Sequence, residues 1–246
     1  MTNTGKIYIV GTGPGSEEYI CPKALAAMNQ SDVIVGYKKY IELIEPFIKG
    51  KELVSSHMKK EVERCQEVLD LALSGKHVSL ISSGDPGIYG MSGIMLEVVA
   101  DKAPEIEVEV VPGVSASIAA NALLGAPLMN DFAVISLSDL LTPWELIVKR
   151  LHAAGSGDFV VNLYNPRSKK RIMHLNTAVE ILLQYQSPET PVGIVKNAMR
   201  ENQEVTYTNL GEVLQHDIDM FTTVVIGNSF TQMINGKMIT IRGYKK

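Results

Sequence analysis

The sequence contains little cysteine: its 246 residues include only Cys21 and Cys65, which lie far apart and form no CxxC pair. A disulfide framework or a cysteine-rich zinc site needs several cysteines at short spacings. Both cysteines fall in segments that we predict to be helical, so we interpret them as small buried thiols. This usage favours a reducing compartment, and we expect a cytoplasmic protein.

Long hydrophobic runs and an excess of basic charge are also missing. The segment MTNTGKIYIVGTGPG has an apolar run of four residues before its glycines, too short for a signal peptide or a membrane-spanning helix. The formal net charge is −4, with 23 lysine and arginine residues against 27 acidic ones. We therefore expect neither nucleic acid nor membrane as a partner, and an anionic ligand must be bound by local basic groups.

Several catalytic motifs are absent as well. The five histidines have no metal-ligand spacing, so we predict no protein-held metal and interpret them as lone surface residues: His57, His77, His152, His174 and His216. There is no G-x-S-x-G nucleophile elbow and no Walker loop. The segment GTGPG at residues 11–15 does not match the G-x-G-x-x-G dinucleotide fingerprint, and Pro14 lacks an N–H donor.

Short apolar segments rich in valine and isoleucine alternate with segments of helical periodicity. We predict strands at residues 6–10, 32–35, 77–82 and 106–111, and then at 132–137, 158–164, 191–196, 205–210, 222–227 and 238–242. Helices are predicted at residues 22–29, 61–74 and 91–101, and another begins near Ser115. This alternation predicts an α/β fold. The contents of 46 % hydrophobic and 20 % charged residues are typical of a globular protein.

The segment Leu124-Gly125-Ala126-Pro127 interrupts the helix that begins near Ser115. Glycine lowers helical stability, and the residue before a proline avoids the α region. We therefore predict two α/β lobes, residues 1–126 and 127–246, each with a mixed sheet and flanking helices. Small molecules commonly bind between domains and at the carboxyl ends of strands, so we place the site in the interlobe cleft.

Loops with glycine, proline and polar residues follow several predicted strands. They are GTGPG at 11–15, SSGDPGIYG at 82–90, PGVSA at 112–116, SLSDLLTPW at 136–144, YNPRS at 164–168 and KNAMR at 196–200. Asp85 either accepts hydrogen bonds from a ligand or closes a turn through its own backbone. Ser115 is expected to cap the following helix, which leaves a ligand contact open. Together these loops predict one large binding site.

Taken with TTVVIGNS at residues 222–229, these segments resemble the tetrapyrrole methylase family in order and spacing over nearly the whole chain. Within the family, SLSDLLTPWE, FVVNLYNPRS and MITIRGY are similar to the branch that methylates C17 of precorrin-3B or cobalt-factor III in cobalamin biosynthesis, with ring contraction. The resemblance implies S-adenosylmethionine bound between two α/β lobes, and a homodimer. Methylation of another precorrin position or of uroporphyrinogen is the alternative.

The resemblance also implies cofactor contacts at eleven positions: Pro14, Gly84, Asp85, Ile88, Ser115, Ala116, Tyr164, Asn165, Ala198, Met199 and Thr223, with Thr222 as an addition. Some relatives have methionine and glycine where Asn165 and Pro166 stand, which favours a backbone contact there. Several members of the branch have histidine where Asn130 stands, so we assign Asn130 no acid or base role.

The tetrapyrrole acceptor carries many carboxylates, and the densest basic cluster directly follows a site loop: Arg167, Lys169, Lys170 and Arg171. We predict acceptor contacts from Tyr89, Ser138, Asp139 and Arg167, because arginine can bind a carboxylate through two hydrogen bonds. A solvated surface run is the other interpretation of the cluster. No catalytic acid or base is assigned, although Lys196 also lies in a site loop. A nucleotide-dependent oxidoreductase and a non-catalytic binding module are the rival classes.

Overall fold

The computed structural model describes residues 5–57, 60–168 and 170–244. The chain divides into two compact units, Met1–Ala116 and Ser117–Lys246, and both are built from strands and helices. The predicted α/β class is therefore confirmed. The division falls directly after Ala116, the first residue of the helix Ala116–Leu124, whereas the predicted lobe boundary lies after that helix. The helix groups with the second unit because Ala120 and Leu124 pack in one core cluster with residues of that unit's sheet.

The first unit is a parallel sheet with helices on both faces. Its elements are β1 (Lys6–Gly11), α1 (Pro22–Gln30), β2 (Val33–Tyr37), α2 (Lys38–Ile44), β3 (Glu52–Ser56), α3 (Glu61–Leu73), β4 (Val78–Ser82), α4 (Ser92–Lys102) and β5 (Glu107–Val111). The strand order is β3-β2-β4-β1-β5, and every described pairing is parallel. A strand that is covered on both faces usually has a continuous run of apolar residues in its sequence. The run IYIV in β1 is such a strand, and all four of its residues are buried.

The second unit contains a five-stranded mixed sheet and a small three-stranded one. Its elements are α5 (Ala116–Leu124), β6 (Gly125–Ala126), β7 (Phe132–Ser136), α6 (Trp144–Ser156), β8 (Val160–Tyr164), α7 (His174–Leu182), β9 (Pro191–Lys196), β10 (Glu204–Asn209), β11 (Thr222–Ile226), β12 (Thr231–Ile234) and β13 (Lys237–Thr240). The large sheet has the order β10-β9-β11-β8-β7, in which β7 and β8 are parallel. The small sheet has the order β12-β13-β6.

The cysteine interpretation needs one correction. Cys65 is buried in α3, and burial raises the pKa of its thiol to about 11, so the thiol stays protonated at neutral pH. Cys21 is only partly buried and directly precedes α1 as its N-cap. It lies outside the helix because Pro22 occupies the first helical position, where proline is favoured.

None of the helices within the described residues has the length and apolar character needed to span a membrane. The longest helices, α3 and α6, have 13 residues each, and both present charged side chains on one face. They are amphipathic helices that cover a sheet.

Asn162 is a polar side chain in the middle of β8 with no exposed surface. Within the described part of the chain, neither its Nδ2 nor its Oδ1 has a hydrogen-bond partner. Its neighbours across the sheet are Val225 on β11 and Val134 on β7. A buried polar group without a partner is destabilising, because it has lost its bonds to water.

We expect Asn162→Leu to stabilise the protein by about 1–3 kcal/mol, since a side chain of similar size then fills the position without unsatisfied polar atoms. The denaturant midpoint measures the effect. The matched control is Asn29→Leu on the exposed end of α1, which should change the free energy of unfolding by less than about 0.5 kcal/mol. A clear loss of stability in Asn162→Leu would instead mean that the amide binds an internal water molecule or a ligand.

Candidate functional site

Three glycine-bearing loops meet at the carboxyl edge of the first sheet. They follow β4, β1 and β5, which are neighbouring parallel strands. The first two loops are joined by a pair of backbone hydrogen bonds: Gly13 N donates to Gly84 O at 3.1 Å, and Gly84 N donates to Gly13 O at 2.7 Å. Both glycines have positive φ angles, +62° and +69°, which side-chain-bearing residues rarely adopt.

The third loop packs directly onto the other two through Gly113. A Cβ atom at Gly113 would lie 2.2 Å from Gly84 O and 2.7 Å from the carbonyl carbon of Gly11. A Cβ atom at Gly11 would lie 2.6 Å from Gly113 N. The three loops therefore touch backbone to backbone, and only glycine allows this approach.

Asp85 fastens two of these loops. Its Oδ1 accepts a hydrogen bond from Gly87 N at 2.8 Å, and its Oδ2 accepts one from Gly113 N at 3.1 Å. The bond to Gly87 closes a local turn, which was one of the two interpretations of Asp85 from the sequence. The bond to Gly113 links the β4 and β5 loops. A carboxylate has further acceptor positions, so the predicted cofactor contact stays a prediction.

The remaining predicted residues of the first unit lie on the same loops. A Cβ atom at Gly84 would lie 3.7 Å from Ser115 Cα and 3.8 Å from Ala116 N, so these three predicted cofactor positions are neighbours. Pro14 and Ser115 are buried. Ile88 and Tyr89 are exposed large side chains, and Tyr89 has a φ angle of 53°.

A second set of predicted residues meets at one edge of the second unit's large sheet. The last residues of β7 and β8, Ser136 and Tyr164, are register partners, and the last residue of β9, Lys196, pairs with the first residue of β11, Thr222. Because β11 also pairs with β8, the four strand ends lie at the same edge. Asn165 Nδ2 donates to Ser136 Oγ at 3.0 Å, which joins the β7 and β8 loops.

Backbone conformation at this edge is unusual. Asn165, Asn197 and Met199 have φ angles of 52°, 49° and 56°. Asparagine tolerates this left-handed region, whereas methionine there is strained unless its surroundings hold it. Met199 N donates to Gln203 Oε1 at 2.7 Å, which is one such restraint. Strained residues often mark functional loops, and two of these three are predicted cofactor contacts.

Thr222, Asp219 and Lys196 form a small network of polar contacts at this edge of the sheet. Thr222 Oγ1 donates to Asp219 Oδ1 at 3.0 Å, and Lys196 Nζ lies 2.9 Å from Asp219 Oδ2. The hydrogen bond to Asp219 raises the pKa of Lys196, so its ammonium group stays charged at neutral pH. Lys196 is therefore a poor general base. Thr223, which is buried like Thr222, lies opposite Val195 in the neighbouring strand.

Asp139 and His174 form a pair that the sequence did not predict. His174 Nε2 lies 3.2 Å from Asp139 Oδ2, and the rings of His174 and Trp144 are 4.3 Å apart. Although burial opposes the shift, the hydrogen bond to His174 lowers the pKa of Asp139. The interpretation of the histidines as lone surface residues is wrong for His174, whose ring contacts Asp139 and Trp144, and for His152, whose Nδ1 lies 2.9 Å from the Tyr185 hydroxyl oxygen. The sequence could not show the first pair, because 35 residues separate Asp139 from His174 and only the fold brings them together.

The basic cluster after β8 is only partly described, since Lys169 lies outside the described residues. Arg167 and Arg171 are half-buried, and Lys170 is exposed. The loop is held by a pair of hydrogen bonds, from Ser168 N to Arg171 O and from Arg171 N to Ser168 Oγ, both 3.2 Å. Arg171 was not among the predicted site residues.

The structure thus places the predicted residues in two groups, one in each unit. The first contains Pro14, Gly84, Asp85, Ile88, Tyr89, Ser115 and Ala116, and the second contains Ser138, Asp139, Tyr164, Asn165, Arg167, Ala198, Met199, Thr222 and Thr223. Tyr164 and Ser138 are anchored within the second unit: Ser117 N donates to the Tyr164 hydroxyl oxygen at 2.6 Å, and Ser138 N donates to Ser136 Oγ at 3.2 Å. That both groups form one cleft remains a prediction.

Two α/β units whose strand ends carry glycine-rich and polar loops belong to the class of α/β proteins in which small molecules commonly bind at the edges of the sheets. The family comparison is more specific. The model of the tetrapyrrole (corrin/porphyrin) methylases matches residues 6–214, and this chain belongs to that family.

Two curated relatives and one solved structure are similar over nearly the whole chain. The "Probable cobalt-factor III C(17)-methyltransferase" of Salmonella typhimurium is 48% identical over 96% of this chain and 98% of the relative. The "Cobalt-factor III methyltransferase" of Priestia megaterium is 50% identical over 98% of this chain, which spans only 46% of that longer protein. The crystal structure of the methyltransferase CobJ matches with a TM-score of 0.91 and 34% identity, covering 97% of this chain and 100% of the other.

Proposed function

We propose that this chain transfers a methyl group from S-adenosylmethionine to C17 of a cobalt-factor III or precorrin-3B type tetrapyrrole, with the associated ring contraction, in cobalamin biosynthesis. The observation that carries the proposal is the 48% identity that runs through 96% of this chain and 98% of a relative named for this activity. The oxidoreductase class lacks support, because GTGPG does not match the dinucleotide fingerprint. A binding module is not expected to keep the whole series of loops.

The residues of the first sheet edge fit S-adenosylmethionine. A Cβ atom at Gly84 would already be in van der Waals contact with Ser115 Cα and Ala116 N, so a side chain at this position would crowd these two residues. Backbone amides and small side chains allow an uncharged adenosine group to approach closely. We assign Pro14, Gly84, Asp85, Ile88, Ser115 and Ala116 to the cofactor in this unit, and Tyr164, Asn165, Ala198, Met199 and Thr223 in the other.

When bound, the cofactor supplies a methyl group already activated by a positive sulfur. The protein then has mainly to orient the two reactants, and correct orientation can lower a barrier by about 7–11 kcal/mol. Rigid backbone contacts among the three glycine loops suit this task, since they leave the loops little freedom to move. Lys196 is held charged between Asp217 and Asp219, so we assign it no role as a base.

The test is methyl transfer from a carbon-13 labelled donor to cobalt-loaded and metal-free acceptors, with the methylated carbon identified by NMR. We expect label at C17 with at least one acceptor. Label at another carbon, or on uroporphyrinogen, would contradict the C17 assignment but not the family, and transfer to no tetrapyrrole would contradict the whole proposal. As a check on the cofactor class, S-adenosylmethionine should raise the melting temperature and NAD(P)H should not.

We also propose a homodimer in the cytoplasm. The family resemblance supports the dimer, and two unpaired cysteines support a reducing compartment. Light scattering should give twice the 26.9 kDa mass of one chain. A mass near that of one chain would contradict the dimer.

A further inference from the structure

Two loops of the second unit lie side by side and are joined by contacts between them. The first, residues 137–143, connects β7 to α6. The second connects β8 to α7, and its described residues are 165–168 and 170–173. Near their start, Leu137 N donates to Tyr164 O at 2.9 Å. Asp139, early in the first loop, places its Oδ2 3.2 Å from Nε2 of His174, the residue that follows the second loop. Trp144, which follows the first loop, packs on that same histidine. We call the described residues of these two loops the acceptor surface.

The acceptor surface exposes large apolar side chains on both loops. Leu140 and Leu141 are 62% and 91% exposed, and Ile172 and Met173 are 59% and 62% exposed. Single exposed apolar residues are ordinary, but a contiguous apolar patch usually marks a binding surface. Here four exposed apolar side chains lie as two adjacent pairs on two loops that hydrogen bonds hold together. The surface therefore suits a ligand with an extended apolar face.

The same loops carry two arginines whose hydrogen bonding is incomplete. Among the described residues, neither Arg167 Nε nor Arg171 Nε has a hydrogen-bond partner, although both atoms are buried. A buried charged donor without an acceptor is destabilising, and such a group usually marks a missing ligand or water. A carboxylate can accept from the Nε–H and one terminal N–H of a guanidinium together. Either side chain would have to turn outward to meet it.

We propose that the acceptor surface binds the tetrapyrrole, with Arg171 and Arg167 each pairing with a peripheral carboxylate and the four exposed apolar side chains contacting the face of the macrocycle. The Asp139–His174 pair acts as a positioning pair that keeps the two loops together. The proposal rests on the proposed function for the identity of the acceptor. Charge complementarity carries it, because a flat apolar ring with carboxylates at its rim matches exposed apolar side chains beside two arginines. The Nε atoms of both arginines lack a hydrogen-bond partner among the described residues, and the charge of Arg171 also helps to lower the pKa of Asp139.

Trp144 is the only tryptophan of the chain and lies beside the acceptor surface, so its fluorescence reports binding there. The experiment titrates the full chain with a porphyrin polycarboxylate and, separately, with its methyl ester, which has the same ring without the charges. The variants are Arg167→Gln, Arg171→Gln and the double change. The matched control is Arg150→Gln, because Arg150 is exposed on α6.

We expect the polycarboxylate to bind more tightly than the ester, and each arginine variant to weaken its binding by about 10- to 150-fold, the loss of one charged hydrogen-bonded contact. The control should bind like the wild type, and all variants should keep their affinity for S-adenosylmethionine. Equal binding by the wild type and Arg171→Gln would overturn the assignment of Arg171.

A second copy of this chain is the other occupant that an apolar surface could have. Leu141→Ser separates the two, because it removes the most exposed apolar side chain of the surface. Weaker porphyrin binding at an unchanged mass in light scattering supports the acceptor surface, whereas a change in mass with unchanged porphyrin binding overturns it. A failure of this inference can be told apart from a failure of the proposed function. The proposed function is tested by identifying the methylated carbon in the product of the wild-type protein, whereas the acceptor surface is tested by porphyrin binding to these variants.

Discussion

Replacing Gly113 with alanine is expected to destabilise the first unit by about 3 kcal/mol, the upper end of the usual range for overpacking a tightly packed site. The new Cβ atom would lie 2.2 Å from Gly84 O and 2.8 Å from Gly11 O, and both are backbone atoms that cannot move alone. The β5 loop would have to withdraw, which also removes the hydrogen bond from Gly113 N to Asp85. Chemical denaturation measures the loss, and calorimetry with S-adenosylmethionine measures the accompanying loss of affinity.

The control for this prediction is Gly93→Ala, the same chemical change in a different setting. Gly93 is exposed in the first turn of α4, and a Cβ atom there would meet nothing within 4 Å. Alanine favours helix over glycine by up to about 1 kcal/mol, so stability should stay equal or rise slightly. If Gly113→Ala were as stable as Gly93→Ala, the close approach of the three loops would be wrong.

Asp85→Ala is expected to lower the affinity for S-adenosylmethionine by about 10- to 150-fold, the equivalent of one charged hydrogen bond. Both carboxylate oxygens bond to backbone amides, of Gly87 and Gly113, so the change loosens two loops even before any ligand contact is considered. Isothermal titration calorimetry on the folded variant measures the effect. An unchanged affinity would remove Asp85 from the site.

Two further variants separate loop fastening from ligand contact. Asp85→Asn retains one oxygen acceptor, so only one of the two backbone amides, Gly87 N or Gly113 N, can keep its hydrogen bond, and the variant should lose part of the affinity if fastening matters. An analogue without the ribose hydroxyls should remove the effect of Asp85→Ala if the carboxylate binds those hydroxyls directly. Asp70→Ala on the exposed face of α3, where the carboxylate accepts a hydrogen bond from Gln66, is the control and should bind normally.

The alternation of apolar segments predicted most strands within a residue or two of their observed bounds. Residues 191–196 were predicted as a strand and form β9, and residues 6–10 form most of β1. These strands lie inside their sheets, where burial on both faces demands continuous apolar runs. The edge strand β3, with the sequence ELVSS, was not predicted, because its residues are exposed or only partly buried and carry no such run.

The helices α6 and α7 were not assigned either, although both have an apolar face. Their first residues, Trp144 and His174, contribute the contact that joins the acceptor surface. A sequence shows which loops are polar and where they begin. It gives no periodic signal for a contact such as that between Asp139 and His174, which are far apart along the chain. The same holds for Arg171, whose significance depends on a buried Nε atom without a partner among the described residues.

By itself the sequence determined the α/β class, the positions of the glycine loops and the family, because each depends on local residue order: apolar period, turn-forming glycine and proline, and motifs in register. Only the tertiary structure decided that Asp85 bonds to Gly113, that Gly113 can bear no side chain, and that Asp139 meets His174. These contacts join residues on different strands or loops. Whether such residues meet depends on strand order and register, which are properties of the packed sheet and not of any segment alone.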